Sequence, residues 1–280
     1  MKNKKSLTYQ ELIRGFRDKG CELESYGTVK ETVKGSVRHY RLYKTVINPQ
    51  HQKNLLITSG FHGEEFNGPT SLLGIFDEMI AYANKMRVRL IIYPCINPSG
   101  FDLHKRYNAS NEKFNNDFLR YEIEKDKWVG TLLKTSESFL GYKIVDSPAK
   151  EVRLLKQDVL KYPVPHGVLD IHQDRLKTGN FYAYILNRRP TYLKIMNKLE
   201  KITAIAKNVP AMNFEDGRKV YYKIDKDGFI MIHDGTITDM FYRLGSKFVV
   251  CAETNTTLPL EKVCQINLVW IQEMIKLIAK

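Results

Sequence analysis

The sequence predicts an α/β protein built on one mixed β-sheet flanked by helices, and three observations carry that prediction. A strand–helix–strand unit fills the first third, with strands at Ser36–Val46, Lys53–Ser59 and Val88–Ile96 around a helical pattern over Glu65–Met86. Such β-α-β units imply a mostly parallel sheet. Two further apolar runs, Gly167–His172 and Lys247–Glu253, read as buried strands that each deliver a polar side chain at their end. A chain of 280 residues can bury one sizeable core, so a single domain spanning 1–280 is expected.

The elements follow in order. Leu7–Phe16 reads as an amphipathic helix, with Thr8 and Glu11 three residues apart as a capping box. The two strands that follow are rich in β-branched and aromatic residues. The helix over Glu65–Met86 places Leu72, Leu73, Phe76, Met79, Ile80 and Ala83 on one face. Asn97-Pro-Ser-Gly100 breaks the strand before it. Residues 112–163 are charged and irregular, with a helix near Ser147–Lys161. Pro163 and Pro165 introduce the Gly167–His172 strand, followed by a strand at Asn180–Leu186 and a helix at Thr191–Lys207. Loops or a hairpin fill 210–240, and Leu260–Ala279 is a closing helix. A site is expected where several strand ends meet, the usual place for ligands in open α/β sheets.

The formal net charge is +13, but the lysines are dispersed and no basic block is longer than Lys2–Lys5. No aromatic-rich RNA motif or helix-turn-helix pattern stands out, so nucleic acid is not the expected partner. An anionic small substrate accommodates the charge as well. No apolar run approaches the ~20 residues of a membrane span. The basic N-terminus has no apolar stretch behind it, so a cytoplasmic protein is expected. The four cysteines are scattered with no C-x-x-C pair, which argues against a Cys-type zinc site. Cys95 and Cys251 sit in apolar runs and are expected as buried thiols of a reducing compartment.

The chemistry is concentrated in a few positions. Leu55-Leu-Ile-Thr-Ser-Gly-Phe-His-Gly-Glu-Glu65 ends an apolar run in a glycine and then presents His62 and Glu65 from one turn. Val168-Leu-Asp-Ile-His172 presents a second histidine. Two histidines and one carboxylate, with a position left open, form the ligand set of a hydrolytic zinc site. The same set also suits non-haem Fe(II). Val249-Val-Cys-Ala-Glu-Thr254 brings a carboxylate, Glu253, whose apolar surroundings would raise its pKa toward the range of a general base. An oxyanion needs a positive group. Arg106 is the first candidate, ahead of Lys105 and Arg120.

Taken together and in this order, H-x-x-E after a hydrophobic strand, N-P-x-G-F, an Arg-x-Asn segment, D-I-H and a late Glu resemble the zinc metallocarboxypeptidase superfamily. The likeness spans roughly residues 53 to 280. It implies a metallocarboxypeptidase-like fold with one zinc per chain on His62, Glu65 and His172, Glu253 as general base, and Arg106 polarising the scissile carbonyl. Arg106-Tyr-Asn-Ala-Ser-Asn-Glu-Lys-Phe-Asn-Asn-Asp-Phe118 is similar to a segment of the murein peptide amidases. The aspartoacylase and succinylglutamate desuccinylase branch has a similar segment and a comparable Glu253-Thr-Asn-Thr environment. That branch normally continues into a β-rich C-terminal domain, whereas here 27 residues follow Glu253 (280 − 253). Length therefore favours the carboxypeptidase-like side. The implied activity is hydrolysis of an amide bond in a peptide or acyl-amino-acid small substrate. Asn115, Asn116 and Arg120 are the expected substrate contacts. Asn116 replaces the arginine with which the family grips a terminal carboxylate, and an amide cannot form that bidentate ionic pair. The family's substrate-contacting tyrosine has no clear counterpart; Tyr221, Tyr222 and Tyr242 are assigned to packing.

Overall fold

The structure, a computed structural model, describes residues 7–132, 137–215 and 218–280, and the side chains of 211–221 lie outside that description. The basic stretch Lys2–Lys5 also falls outside it. The chain opens with helix α1 (Tyr9–Asp18), whose capping box is formed as the sequence predicts: the Thr8 side chain accepts from Glu11 N–H, and the Glu11 carboxylate accepts from Thr8 N–H. Strands β1 (Glu24–Val33) and β2 (Ser36–Ile47) form a hairpin that the sequence reading had not paired. Its turn places Lys34 and Gly35 at φ 49° and 77°. Positive φ at both central residues suits the twist of a tight hairpin, and Gly35 adopts it without steric cost.

Next come β3 (Asn54–Ser59), α2 (Asn67–Gly74), α3 (Phe76–Met86), β4 (Arg89–Tyr93) and α4 (Pro98–Leu103). The helix expected over Glu65–Met86 is thus two helices. Ile75, at φ −102° and ψ 13°, ends one and starts the other directly after Gly74. The expected irregular region contains β5 (Leu119–Glu124), β6 (Lys127–Val129) and β7 (Gly141–Ile144) in a small antiparallel sheet ordered β6-β5-β7. Leu119 and Tyr121 are buried in it, so a period-2 signal was present in the charged run Leu119-Arg-Tyr-Glu-Ile-Glu124.

The remaining elements are α5 (Lys150–Val159), β8 (Gly167–Asp174), β9 (Phe181–Ile185), α6 (Arg189–Leu199), β10 (Pro210–Glu215), β11 (Arg218–Lys223), β12 (Phe229–Ile230), α7 (Ile237–Leu244), β13 (Phe248–Asn255) and α8 (Leu260–Ala279). Helix α6 stops short of the expected Lys207. The backbone after it pairs alongside β9 instead, through Asn180 N–H to Ala204 O and Ala206 N–H to Phe181 O.

The main sheet has eight strands in the order β1-β2-β4-β3-β8-β13-β9-β12. The inner run β4, β3, β8 and β13 is parallel, and β1, β2 and β9 add antiparallel neighbours. The sheet is mixed, as predicted. Its inner strands are covered on both faces, which explains their near-continuous apolar sequences. Leu55, Ile57, Leu169, Ile171, Val250 and Ala252 pack on one face with α2, α3, α6 and α8. Leu56, Val168 and Val249 point the other way, into a second core with α5 and α7. Burying each such side chain contributes ~1.5–3 kcal/mol. No helix among the described residues is long and apolar enough to cross a membrane.

Candidate metal centre and cavity

The parallel strands β3, β8 and β13 run side by side and end together. In this register Ser59 lies beside Ile171, and His172 lies beside Glu253. The chain leaving β3 turns at Gly60, φ +70°, where a Cβ would press to 3.1 Å of the Cys95 backbone. Gly63 sits so close to the next turn that a Cβ there would fall 1.9 Å from the Gly100 carbonyl carbon. Only glycine permits that approach. Asn97 closes the assembly. Its side chain accepts from Gly100 N–H at 2.9 Å and donates to Phe61 O at 3.2 Å and Arg106 O at 3.3 Å. The N-P-x-G turn is therefore the brace that holds the His62 turn and the Arg106 turn together.

His62, Glu65 and His172 converge within that frame. His62 Nδ1 lies 2.5 Å from Glu65 Oε1, and His172 Nδ1 lies 2.9 Å from Glu65 Oε2. One ligand atom from each residue falls within 4.8 Å of the others, a group able to hold one metal ion. All three are buried, at 5 %, 3 % and 1 % exposure. Their partners aim them. Asp170 Oδ2 sits 3.0 Å from His172 Nε2, and Asp170 Oδ1 accepts from the Thr58 hydroxyl at 2.7 Å. A carboxylate behind a histidine fixes the tautomer that leaves the other ring nitrogen free as a ligand. Phe61 stacks on the His172 ring at 5.8 Å. The Gln173 N–H donates to Glu65 Oε2 at 3.0 Å.

The electrostatics of these groups are mutual. Burial works to raise the Glu65 pKa, but His62 and His172 outweigh it and hold the carboxyl well below its usual range. Burial works to lower the His172 pKa, and Asp170 and Glu65 outweigh it and raise it well above that of free imidazole. At His62 burial prevails and the pKa falls. Asp170, His172 and Cys251 form a second potential ligand group, but burial pushes the Cys251 thiol up, and a neutral thiol is a poor ligand.

A cavity of about 590 Å³ opens over the cluster. Glu253 enters its wall from β13, with Oε2 buried and unpartnered. Burial pushes its pKa well above the usual carboxylate range; Glu65 and Asp174 add to this, and His172 and Arg106 oppose it. Arg106 lines the cavity with its guanidinium 3.8 Å from Glu65 Oε1 and 3.6 Å from Glu64 Oε1, and 43 % of its side chain is exposed. His62, Glu65, Arg106 and Glu253 thus face one space, and His172 lies directly beneath it.

The expected substrate contacts divide. Asn115 and Asn116 line the cavity, but Asn116 Nδ2 donates to Asp234 O at 3.0 Å, a scaffolding bond. Arg120 is not among the lining residues. Its guanidinium is turned onto Asn116 O and Asp117 Oδ1, both at 2.9 Å, so it braces the loop that carries Asn116. Tyr222, assigned from sequence to packing, lines the cavity and meets the Tyr184 hydroxyl at 3.2 Å. Tyr242 packs on His233, and Tyr221 lies outside the described side chains. The sequence reading also missed Asp170, Tyr182, Tyr184 and Asp234. For Asp170 a signal existed, a lone acid inside Val168-Leu-Asp-Ile-His172, two residues from the histidine and on the same strand face. For Tyr182 and Tyr184 the signal was their period-2 spacing in β9.

The model of the succinylglutamate desuccinylase/aspartoacylase catalytic domain matches residues 51–220. No curated protein sequence matches the chain significantly. Among solved structures, a candidate metallopeptidase of Shewanella denitrificans OS217 is 22 % identical with a TM-score of 0.67, covering 97 % of this chain and 89 % of that one. A metallo-carboxypeptidase of Pseudomonas aeruginosa, solved with (2-guanidinoethylmercapto)succinic acid, is 16 % identical with a TM-score of 0.57 over 96 % and 68 % of the two chains. The murein-tripeptide amidase of Escherichia coli O157 is 16 % identical with a TM-score of 0.51 over 91 % of each. These likenesses establish the metallocarboxypeptidase-like fold. Of the two branches weighed from sequence, the family match falls on the one that chain length had disfavoured. The match covers 170 of the 280 residues (51 to 220), and the chain belongs to the succinylglutamate desuccinylase/aspartoacylase catalytic-domain family within the metallocarboxypeptidase-like hydrolases.

Proposed function

We propose that the protein is a zinc-dependent amide hydrolase acting on an acyl-amino-acid or peptide-like small substrate. The observation that supports it best is the convergence of two imidazole nitrogens and both Glu65 oxygens beneath a cavity that also receives Glu253 and Arg106. The donor set fits the metal: two histidines and one carboxylate, buried and braced by Asp170 and the Gln173 amide, match a catalytic zinc with an open position. Zinc bound there supplies a Lewis acid and lowers the pKa of water. His62, Glu65 and His172 would hold it.

The remaining steps belong to the chain. Glu253 is the only carboxylate on β13 facing the cavity, and its unpartnered oxygen is free to accept a proton from the attacking water and deliver it to the leaving amine. Burial raises its pKa above the usual carboxylate range, which makes it the stronger base. Arg106 carries a permanent charge at the rim and stabilises the developing oxyanion. Asp170 keeps the His172 proton on Nε2, away from the ligand nitrogen. The family match favours an N-acyl amino acid over an extended peptide as substrate. Assay of zinc-loaded protein on matched N-acyl amino acids, murein peptides and C-terminal dipeptides tests the proposal. Absence of turnover on all three, with metal bound, would leave the alternative of a non-catalytic binding protein that kept the fold.

A further inference from the structure

Outside the cavity, three glutamates meet. Glu31 comes from β1, Glu112 from the turn after α4 and Glu151 from the first turn of α5. One carboxylate oxygen from each lies within 4.8 Å of the others. Glu151 is 0 % exposed and Glu31 7 %. Both Glu151 oxygens are buried without a hydrogen-bond partner. The nearby amide of Asn108 is directed elsewhere, to Glu112 at 2.8 Å and Glu31 at 3.5 Å, and the Ser110 hydroxyl donates to Glu31 at 2.8 Å. Among the described residues no Lys, Arg or His forms an ion pair with any of the three. Two buried carboxylates beside a third that is half-buried, with no counter-charge, are costly unless they share a proton or a cation.

We propose that Glu31, Glu112 and Glu151 form a structural site for a divalent cation of the calcium type. An all-oxygen donor set selects a hard cation. The oxygens are close enough for one Ca²⁺, whose opposite ligands stand ~4.6–5.2 Å apart given bonds of 2.3–2.6 Å. Magnesium demands near-ideal octahedral geometry at ~2.0–2.1 Å, whereas calcium accepts irregular oxygen sets such as three side chains from separate segments. The ion joins three segments distant in sequence and clamps the 108–112 turn onto β1 and α5. That turn follows Arg106 directly and is also pinned by Ala109 N–H to the Ser99 hydroxyl at 3.0 Å. The site therefore stabilises the loop that presents Arg106 to the cavity, and it stands independently of the reaction proposed above.

The test is the melting temperature of the full chain, freed of metal by chelation and dialysis, with and without CaCl2 at pH 8. At a hundredfold excess over Kd the wild type is expected to gain about 4–5 °C. Glu151→Gln and Glu112→Gln each abolish that gain, whereas His172→Ala, which removes a donor from the other centre, keeps it. Should Glu151→Gln fail to fold, the more exposed Glu112→Gln carries the test alone. A wild type indifferent to Ca²⁺ would mean that the cluster holds a proton instead, and overturns the proposal. So does a gain that persists in the Gln variants or disappears in His172→Ala. An equal gain from MgCl2 overturns the choice of calcium.

Discussion

The two walls of the cavity are built differently. One consists of the ends of β3, β8 and β13, strands paired to neighbours on both sides, with Glu253 in register with His172. The other consists of loops and a separate hairpin: the turn carrying Asn115 and Asn116, the segment Arg175–Thr178, and β10–β11 with Tyr222. In the first wall His62, Glu65 and His172 are buried, and the two imidazoles flank the Glu65 carboxylate. The second exposes Arg175 and Lys177 to solvent. On the proposed function the strand wall fixes the chemistry and the loop wall selects what undergoes it, the division expected when functional loops are carried on a rigid scaffold. Substitutions on the first wall should therefore remove turnover, and those on the second should shift substrate preference.

The largest effect is expected at the metal ligands. His172→Ala should lose bound metal and at least about 10³-fold in kcat/KM, since Lewis-acid stabilisation contributes several kcal/mol. Metal analysis after dialysis checks the cause, and iron as the retained metal would overturn the assignment. Glu253→Gln comes next. It should keep metal and fold yet lose about 10²–10⁴-fold in turnover. Because burial raises the Glu253 pKa, the wild-type kcat/KM should fall as pH drops through a value above the ordinary ~4.3 of a glutamate. The base acts only when deprotonated, so this is the acid limb, and it should vanish in the Gln variant. An unchanged limb would assign it to another group. Asp170→Asn, one step behind the ligands, should weaken metal binding about 10–100-fold. Competition titration with a chelator measures this, and unaltered affinity would show that His172 needs no such partner.

The strand wall was legible in the sequence because its residues announce themselves locally. His62 and Glu65 follow a buried run, His172 and Glu253 close two more, and a charged side chain in such surroundings requires a reason. The loop wall was not legible, because its members become neighbours only through tertiary structure. Arg120 and Asn116 look alike in sequence as candidate contacts, yet one guanidinium ties down the other's backbone. Tyr222 reaches the cavity only because β10 and β11 pair and lean on Tyr184. A different reason hid β1 and the sheet β5–β7: their strands are half solvated and rich in charge, so their period-2 pattern is faint. Both branches named from sequence reappear among the relatives: the family match falls on the desuccinylase/aspartoacylase side, and a murein-tripeptide amidase shares the fold.

The smallest effect is expected on the loop wall. The position at which the resemblance implies a carboxylate-gripping arginine is Asn116 here, and its amide already serves the Asp234 carbonyl. Of the cations that could take over, Lys113 and Arg120 do not line the cavity, whereas Arg175 and Lys177 do. A substrate with a free carboxylate should therefore be favoured through Arg175 rather than through the loop of Asn116. Arg175 is exposed, so the attraction is screened, about 0.2–1 kcal/mol or at most about fivefold in KM. Two otherwise identical substrates, one with the free acid and one amidated, isolate this contribution. Arg175→Ala should raise KM for the acid by that factor, leave kcat near wild type, and leave the amide unaffected. The preference should also weaken as salt rises, since the charges meet in solvent. If the free acid stays preferred in Arg175→Ala and in Lys177→Ala, the carboxylate is held by Arg106, the cation nearest the metal centre. The loop wall would then contribute shape and no charge to selection.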